Sequence, residues 1–116
     1  MRTVIANAFS VNMLKQDTML FFAQIDLETA KYYVNTIPEC SAAYSVYSVY
    51  SIVGHQATAD LLSAKLGCNV SFNRENYKKE KDDRIIVCLP AQRLDEGQIL
   101  SVEELNRINV KFWLIK

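Results

Sequence analysis

Residues 52–62 read Ile-Val-Gly-His-Gln-Ala-Thr-Ala-Asp-Leu-Leu, and the break in the middle of this stretch decides the class of fold. Upstream, residues 44–53 read YSVYSVYSIV, a β-branched and aromatic run. Its period of three matches neither a strand nor a helix. Laid out as a strand, it carries Tyr44, Val46, Tyr50 and Ile52 on one face and Tyr47, Val49 and Val53 on the other. Both faces are largely apolar, as expected of an interior strand covered on two sides. The tyrosines are read as packing groups, although stacking on bases is an open alternative. Downstream, Gln56–Leu66 places Leu61, Leu62 and Leu66 on one side of a short helix. Gly67 then stands where a left-handed residue closes a helix. A strand that feeds a helix through Gly54-His55 is the unit of an α/β chain.

The same alternation extends in both directions. Thr3–Phe9 is predicted as a strand, followed by a short helical segment, SVNMLK, and a second strand at Met19–Ile25. Asp26 is a plausible N-cap for LETAKYYVNTI, whose Leu27, Ala30, Tyr33, Val34 and Ile37 form one apolar stripe. Asn69–Asn73 is a short strand candidate, and YKKEKDD (residues 77–83) reads as a solvated turn of mixed charge. Arg84–Pro90 is a strong strand, AQRLDEG a loop, and Leu100–Asn109 a helix whose Ser101 and Glu104 have capping-box spacing. Val110–Ile115 closes the series as a strand. The expectation is a single compact domain over residues 1–116, an α/β (α+β) fold in which one mixed sheet of about five strands has helices packed against it.

Composition narrows the function. Of 116 residues, 13 are basic and 13 acidic, so no global field draws the chain onto long DNA or RNA. A balanced chain can still gather a few cations around a small anion. The 3 cysteines, Cys40, Cys68 and Cys88, are odd in number and lack C-x-x-C spacing, which supports neither a disulfide framework nor a zinc site. The apolar runs are far short of the ~20 residues of a membrane helix. A cytoplasmic protein without a membrane partner is expected.

Polar residues gather at three predicted strand ends: Asn7, Ser10 and Asn12; His55 and Thr58; Gln92, Arg93 and Glu96. Ligands collect outside strand ends in open sheets, and a helix N-terminus offers unpaired N–H groups to a phosphate. The chain has 1 histidine, which with no carboxylate cluster beside it argues against a metal site. Ser10 lacks the G-x-S-x-G elbow of a nucleophile. Cleavage of RNA needs neither metal nor enzyme nucleophile, because a ribose 2′-OH can attack its own phosphodiester. The protein then aligns the reacting oxygens and protonates the leaving 5′-oxygen, a task one histidine can perform. A capping or structural role for His55 is the competing reading.

The segments NAFSVNML (7–14), GHxxT (54–58) and QRLDEGxxLSxEE (92–104) together resemble, in order and over nearly the whole chain, the viral type III anti-CRISPR ring nucleases. That resemblance implies a homodimer that binds cyclic tetra-adenylate, the second messenger of type III CRISPR defence. It cuts the ring without metal or cofactor to linear di-adenylates ending in 2′,3′-cyclic phosphate. By motif position it implies His55 as general acid, Arg93 on phosphate and Glu96 orienting its neighbours. Asn7, Ser10, Asn12, Thr58 and Gln92 would hold the ligand, with Arg74 of FNRE beside them. Members of that family usually have Asp-Ser-Thr after Gly-His. This chain has Gln56-Ala57-Thr58, from which altered affinity or rate, rather than loss of activity, is expected. Two other readings are a protein that binds cyclic oligonucleotides without cleaving them, as a sponge or sensor, and a structural protein assembling through its tyrosine-rich strand.

Overall fold

The computed structural model describes residues 2–15, 18–35, 48–95 and 99–116. Within them the chain forms β1 (Arg2–Ala6), a 3-10 turn (Val11–Met13), β2 (Phe22–Ile25), α1 (Leu27–Asn35), β3 (Ser48–Ser51), α2 (Gln56–Leu66), β4 (Asp83–Pro90), α3 (Val102–Arg107) and β5 (Val110–Ile115). The strands make one sheet in the order β2-β5-β4-β1-β3. β1 runs parallel to β3 on one side and to β4 on the other. β5 is antiparallel to both β4 and β2. The expected mixed five-stranded α+β fold is therefore present.

Strand periodicity sorts the core into two faces. Ile5, Ile86, Cys88, Phe112 and Leu114 lie on one face and pack against Ala30 and Val34 of α1 and Ala59, Leu62 and Leu66 of α2. Val4, Ala6, Ile85, Val87 and Ile115 lie on the other, under Phe9, Met13, Leu20 and Tyr77. Both α1 and α2 cover the first face. Leu61, Leu62 and Leu66 are fully buried; each contributes roughly 2 kcal/mol relative to an exposed side chain. The helix ends follow their sequence signals. Asp26 Oδ1 accepts the Thr29 N–H at 2.8 Å, Gly67 adopts φ 69°, and Ser101 and Glu104 exchange both capping-box hydrogen bonds.

Several expectations are corrected. β3 is an edge strand among the described residues, not an interior one: β1 is its single partner, and Val49 is exposed. The first part of its tyrosine run lies outside the described residues, as does Ile37. Tyr50 is half-buried with the Arg2 guanidinium 4.7 Å from its ring centre, a packing role. The predicted strand at Asn69–Asn73 reduces to one bridge, Val53 with Phe72, because its neighbours leave the sheet edge. Strands one and two are shorter than predicted at Phe9 and at Met19–Phe21, where side chains turn to cover the second face or face solvent.

The segment YKKEKDD is not a solvated turn. Tyr77, Lys79 and Asp83 are buried within it, and charge content alone concealed this. Asp83, 5% exposed, accepts from Arg2 Nη2 at 2.9 Å, from the Tyr77 hydroxyl and from the Glu80 backbone N–H at 3.1 Å. Burial alone would raise its pKa. The hydrogen bonds from Arg2, Tyr77 and Glu80, with the Arg2 charge, outweigh it and hold the carboxyl below its ordinary value. The same network raises the Arg2 and Tyr77 values, Arg2 through the Asp83 hydrogen bond and Tyr77 first through burial.

A carboxyl whose folded pKa is depressed contributes stability that is fully present above its unfolded value of ~3.9 and lost as pH falls through the folded value. Asp83→Asn is expected to destabilise the protein at neutral pH by about 2–4 kcal/mol, because it breaks a buried pair and leaves Arg2 without its anion. The variant should also lose part of the parent's decline in stability in acid. Urea denaturation followed from neutral pH into the acid range checks both; an unchanged acid limb would show that Asp83 is not the linked group.

Candidate functional site

Because β1, β3 and β4 run parallel, their carboxyl ends reach one pole of the sheet. The residues following each strand enclose a cavity of ≈ 540 Å³ there. Asn7 follows β1, His55 and Thr58 start α2, and Pro90 through Asp95 leave β4. This is the position at which open sheets with parallel strands bind ligands.

Each wall is fixed locally. Asn7 follows Ile5 by two residues and so continues the helix-covered face of β1; its Oδ1 accepts the Gly54 N–H at 3.5 Å, tying the ends of β1 and β3 together. The β4–α3 loop is held by Leu94, buried against Ala57, Leu61, Leu105 and Ile108. With Leu94 pinned inward, Gln92 and Arg93 are exposed along the cavity wall. Ala91 N–H donates to Asn109 O at 2.7 Å, which extends the β4–β5 pairing beyond Pro90 and fixes where the loop begins.

His55 is the N-cap of α2, with extended backbone (φ −145°, ψ 120°). Its Nδ1 accepts the Thr58 backbone N–H at 3.3 Å, and the Thr58 hydroxyl lies 3.0 Å from the same nitrogen. The Thr58 N–H has only the Nδ1 lone pair to meet, so the proton of the neutral ring sits on Nε2. Among the described residues Nε2 has no partner, and the half-buried ring lines the cavity. The capping and chemical readings of His55 thus use different nitrogens. One holds the ring; the other has no partner among the described residues, on a side chain that lines the cavity.

Two positive features converge there. The N-terminus of the eleven-residue α2 carries a partial positive charge, and Arg93 supplies a guanidinium that has no carboxylate partner among the described residues. Among the described residues no three His, Cys, Asp or Glu side chains come together as a metal site. The polar groups that the described residues bring to the cavity are amide, imidazole, hydroxyl and guanidinium together with the single carboxylate of Asp95, a set dominated by donors that matches a phosphodiester better than a cation.

Not every predicted residue is brought together. Asn7, His55, Thr58, Gln92 and Arg93 share the cavity. Ser10 and Asn12 instead line a neighbouring depression of ≈ 410 Å³ with Glu75 and Lys78. There Ser10 Oγ caps the 3-10 turn by accepting from Asn12 N–H at 3.1 Å. Arg74 is exposed beside the His55 loop, its Nη2 donating to Gly54 O at 3.1 Å. Glu96 lies outside the described residues. Asp95 was not singled out from the sequence, yet it lines the cavity; the available signal was its place two residues after Arg93. The two departures from the Asp-Ser-Thr pattern fall away from the cavity. Gln56 donates to Asp60 Oδ1 at 2.9 Å along the helix surface, and Ala57 is buried against Leu61 and Leu94.

The comparisons with known proteins follow the same lines. The chain is 30% identical over 100 residues to uncharacterized protein 26 of Sulfolobus islandicus filamentous virus, covering 81% of this chain and 85% of the relative. It is 28% identical over 109 residues to uncharacterized protein ORF116 of Acidianus filamentous virus 1, covering 93% and 85%. Its fold matches the structure of B116 of Sulfolobus turreted icosahedral virus with a TM-score of 0.72 and 25% identity, over 98% of this chain and 97% of that one. These three relatives are archaeal-virus proteins. The family model described as STIV B116-like matches residues 3–112, and the chain belongs to that family.

Proposed function

We propose that the protein is a homodimeric ring nuclease that binds cyclic tetra-adenylate and cleaves it, without metal, to linear di-adenylates with 2′,3′-cyclic phosphate ends. The observation that carries this reading is the division of labour in His55: Nδ1 fixed by Thr58, Nε2 open to a cavity whose other polar walls suit a phosphodiester. Removal of the ring would silence type III CRISPR signalling in the cytoplasm of an infected host.

The chemistry runs within the substrate. A ribose 2′-oxygen attacks the adjacent phosphorus, its proton passing to water, and the bond from phosphorus to the 5′-oxygen breaks. The imidazolium form of His55 donates its Nε2 proton to that leaving oxygen. In this form Nδ1 also carries hydrogen, and the Thr58 hydroxyl oxygen, 3.0 Å away, is there to accept it. Arg93 and the α2 N-terminus stabilise the charge that builds on the non-bridging oxygens. Asn7 and Gln92 hold the neighbouring nucleotides, and Glu96 is assigned to orienting Arg93 and its surroundings.

The dimer follows from symmetry. A ring of four identical nucleotides has a two-fold axis, and a two-fold pair of chains supplies each donor twice, one acid for each of two opposite linkages. The face of the sheet opposite α1 and α2 carries an apolar strip of Phe9, Phe22, Leu89 and Trp113, of which Phe22 and Leu89 are exposed. We assign that strip to contact with the second copy.

Two substitutions at one position separate chemistry from capping. His55→Asn keeps a good N-cap, whereas His55→Ala removes it, at a cost of about 1 kcal/mol. Turnover of cyclic tetra-adenylate should fall by roughly 10²–10⁴ in both variants, the span for a positioned acid, while ring affinity and the melting temperature of His55→Asn stay near the parent's. Single-turnover assays in excess chelator, with products separated by chromatography, provide the reading. Near-normal cleavage by His55→Asn would remove His55 from the chemistry, and tight binding of an uncut ring by the parent would make the protein a sponge.

Arg93→Ala should weaken ring binding, and the deficit relative to the parent should shrink as salt rises, because the lost phosphate contact is itself screened. Affinity titrations across a salt series check this. A deficit independent of salt, accompanied by a lower melting temperature, would assign Arg93 to the fold instead.

A further inference from the structure

The His55 cavity occupies one end of the sheet. A second cavity, of ≈ 490 Å³, lies at the other end, where β4 starts and β5 stops. Lys79, Glu80 and Lys81 come from the segment before β4, Lys116 follows β5, and Lys15 follows the 3-10 turn. β4 is eight residues long, so the two cavities are ~25 Å apart.

Lys79 is the unusual member. It is only 7% exposed, yet it lines this cavity. Its Nζ has one partner among the described residues, the Glu80 carbonyl oxygen at 3.3 Å. An ammonium has three donors, and a buried charge is costly unless it is paired. The carboxylate that lines this cavity is already engaged: Glu80 Oε2 takes Lys15 Nζ at 2.8 Å. The backbone holds Lys79 in place, its N–H donating to Met13 O at 2.7 Å. Among the described residues, four lysine side chains therefore share this cavity with one side-chain carboxylate, which Lys15 already engages.

We propose that this cavity is a second anion site, for an oligophosphate group, with Lys79 as its central ligand and Lys81 and Lys116 closing on the outer oxygens. The charge surplus and the volume both fit a multiply charged chain better than a single small anion. Among the described residues no aromatic ring lines the cavity, so recognition rests on phosphate oxygens and not on base stacking. Inorganic triphosphate and the phosphates of a nucleoside triphosphate present the same chemistry.

The test is calorimetric titration of the full chain with inorganic triphosphate, adenosine triphosphate and sulfate at one fixed, near-physiological ionic strength. Triphosphate should bind with a Kd below ~1 mM and sulfate at least ~10-fold more weakly, as several charge-assisted hydrogen bonds act together. Lys79→Met and Lys81→Ala should each weaken triphosphate binding by ~10-fold or more, whereas Lys31→Ala, a lysine of α1 that lines neither cavity, should leave it unchanged. Lys79→Met should melt no lower than the parent without ligand, since it removes a poorly paired buried charge. Tighter binding of adenosine triphosphate than of triphosphate would identify a nucleotide as the ligand, and equal binding the phosphate chain alone. Absence of triphosphate binding, equal binding of sulfate, or binding that survives Lys79→Met and Lys81→Ala would overturn the proposal. Should Lys79→Met fold poorly, amide shifts on adding triphosphate decide: shifts at Lys79–Lys81 support the site, and shifts confined to Gln92–Asp95 refute it.

Discussion

The parallel pairing of β1 with β3 on one side and β4 on the other is the constraint on which the rest of the molecule depends. Parallel neighbours end at the same pole, so the segments leaving them must meet there. Residues distant in sequence, Asn7, His55 and Arg93, thereby face one cavity. The same pairing buries β1 on both faces: Val4 and Ile5 are completely covered. A strand so placed has little freedom to shift, since a slip of one residue would send Ile5 to the wrong face and Asn7 away from Gly54. Core packing and site geometry are thus set by one register.

His55 shows how a stabilising contact and a reactive one can reside in one side chain. A helix N-terminus leaves N–H groups that need acceptors, and imidazole meets one of them with Nδ1. This cap fixes the ring's rotation and tautomer and leaves Nε2 for other work. A serine or asparagine would cap as well but would bring no titratable group. Thr58 takes part twice, through its backbone N–H and its hydroxyl, and is itself buried. Its position in the motif therefore reflects orientation of the histidine as much as contact with a ligand.

The opposite pole is built by different means. Arg2, Tyr77 and Asp83 satisfy one another in a buried network, and the Tyr50 ring and the Arg2 guanidinium carry it to the sheet edge. Next to it, Lys79 is buried with a single main-chain acceptor. The contrast between a compensated arginine and a poorly compensated lysine, within one short segment, separates the part of this pole that supports the fold from the part available to a ligand.

Much of this was legible in the chain itself. Helix ends were readable because their signals are local: a side-chain cap at Asp26, a capping box at Ser101 and Glu104, and Gly67 at a left-handed position act within a few residues. The strands at Arg84–Pro90 and Val110–Ile115 were visible as apolar runs, and His55 and Arg93 stood out as chemistry at strand ends. Strand order was not legible, because pairing is decided by which long-range contacts bury the most surface, and the described end of the tyrosine run, Ser48–Ser51, lies at the sheet edge with Tyr50 beside Arg2. Nor did the sequence separate Ser10 and Asn12 from the His55 cavity, since β1 ends at Ala6 and both residues belong to the capped 3-10 turn beyond it. The charged run at residues 77–83 concealed three buried side chains, because burial of a charge depends on a partner far along the chain, as Asp83 depends on Arg2. The sequence by itself determined the elements, their caps and the reactive groups; the tertiary structure decided which of those groups meet, since meeting depends on strand pairing across the whole chain.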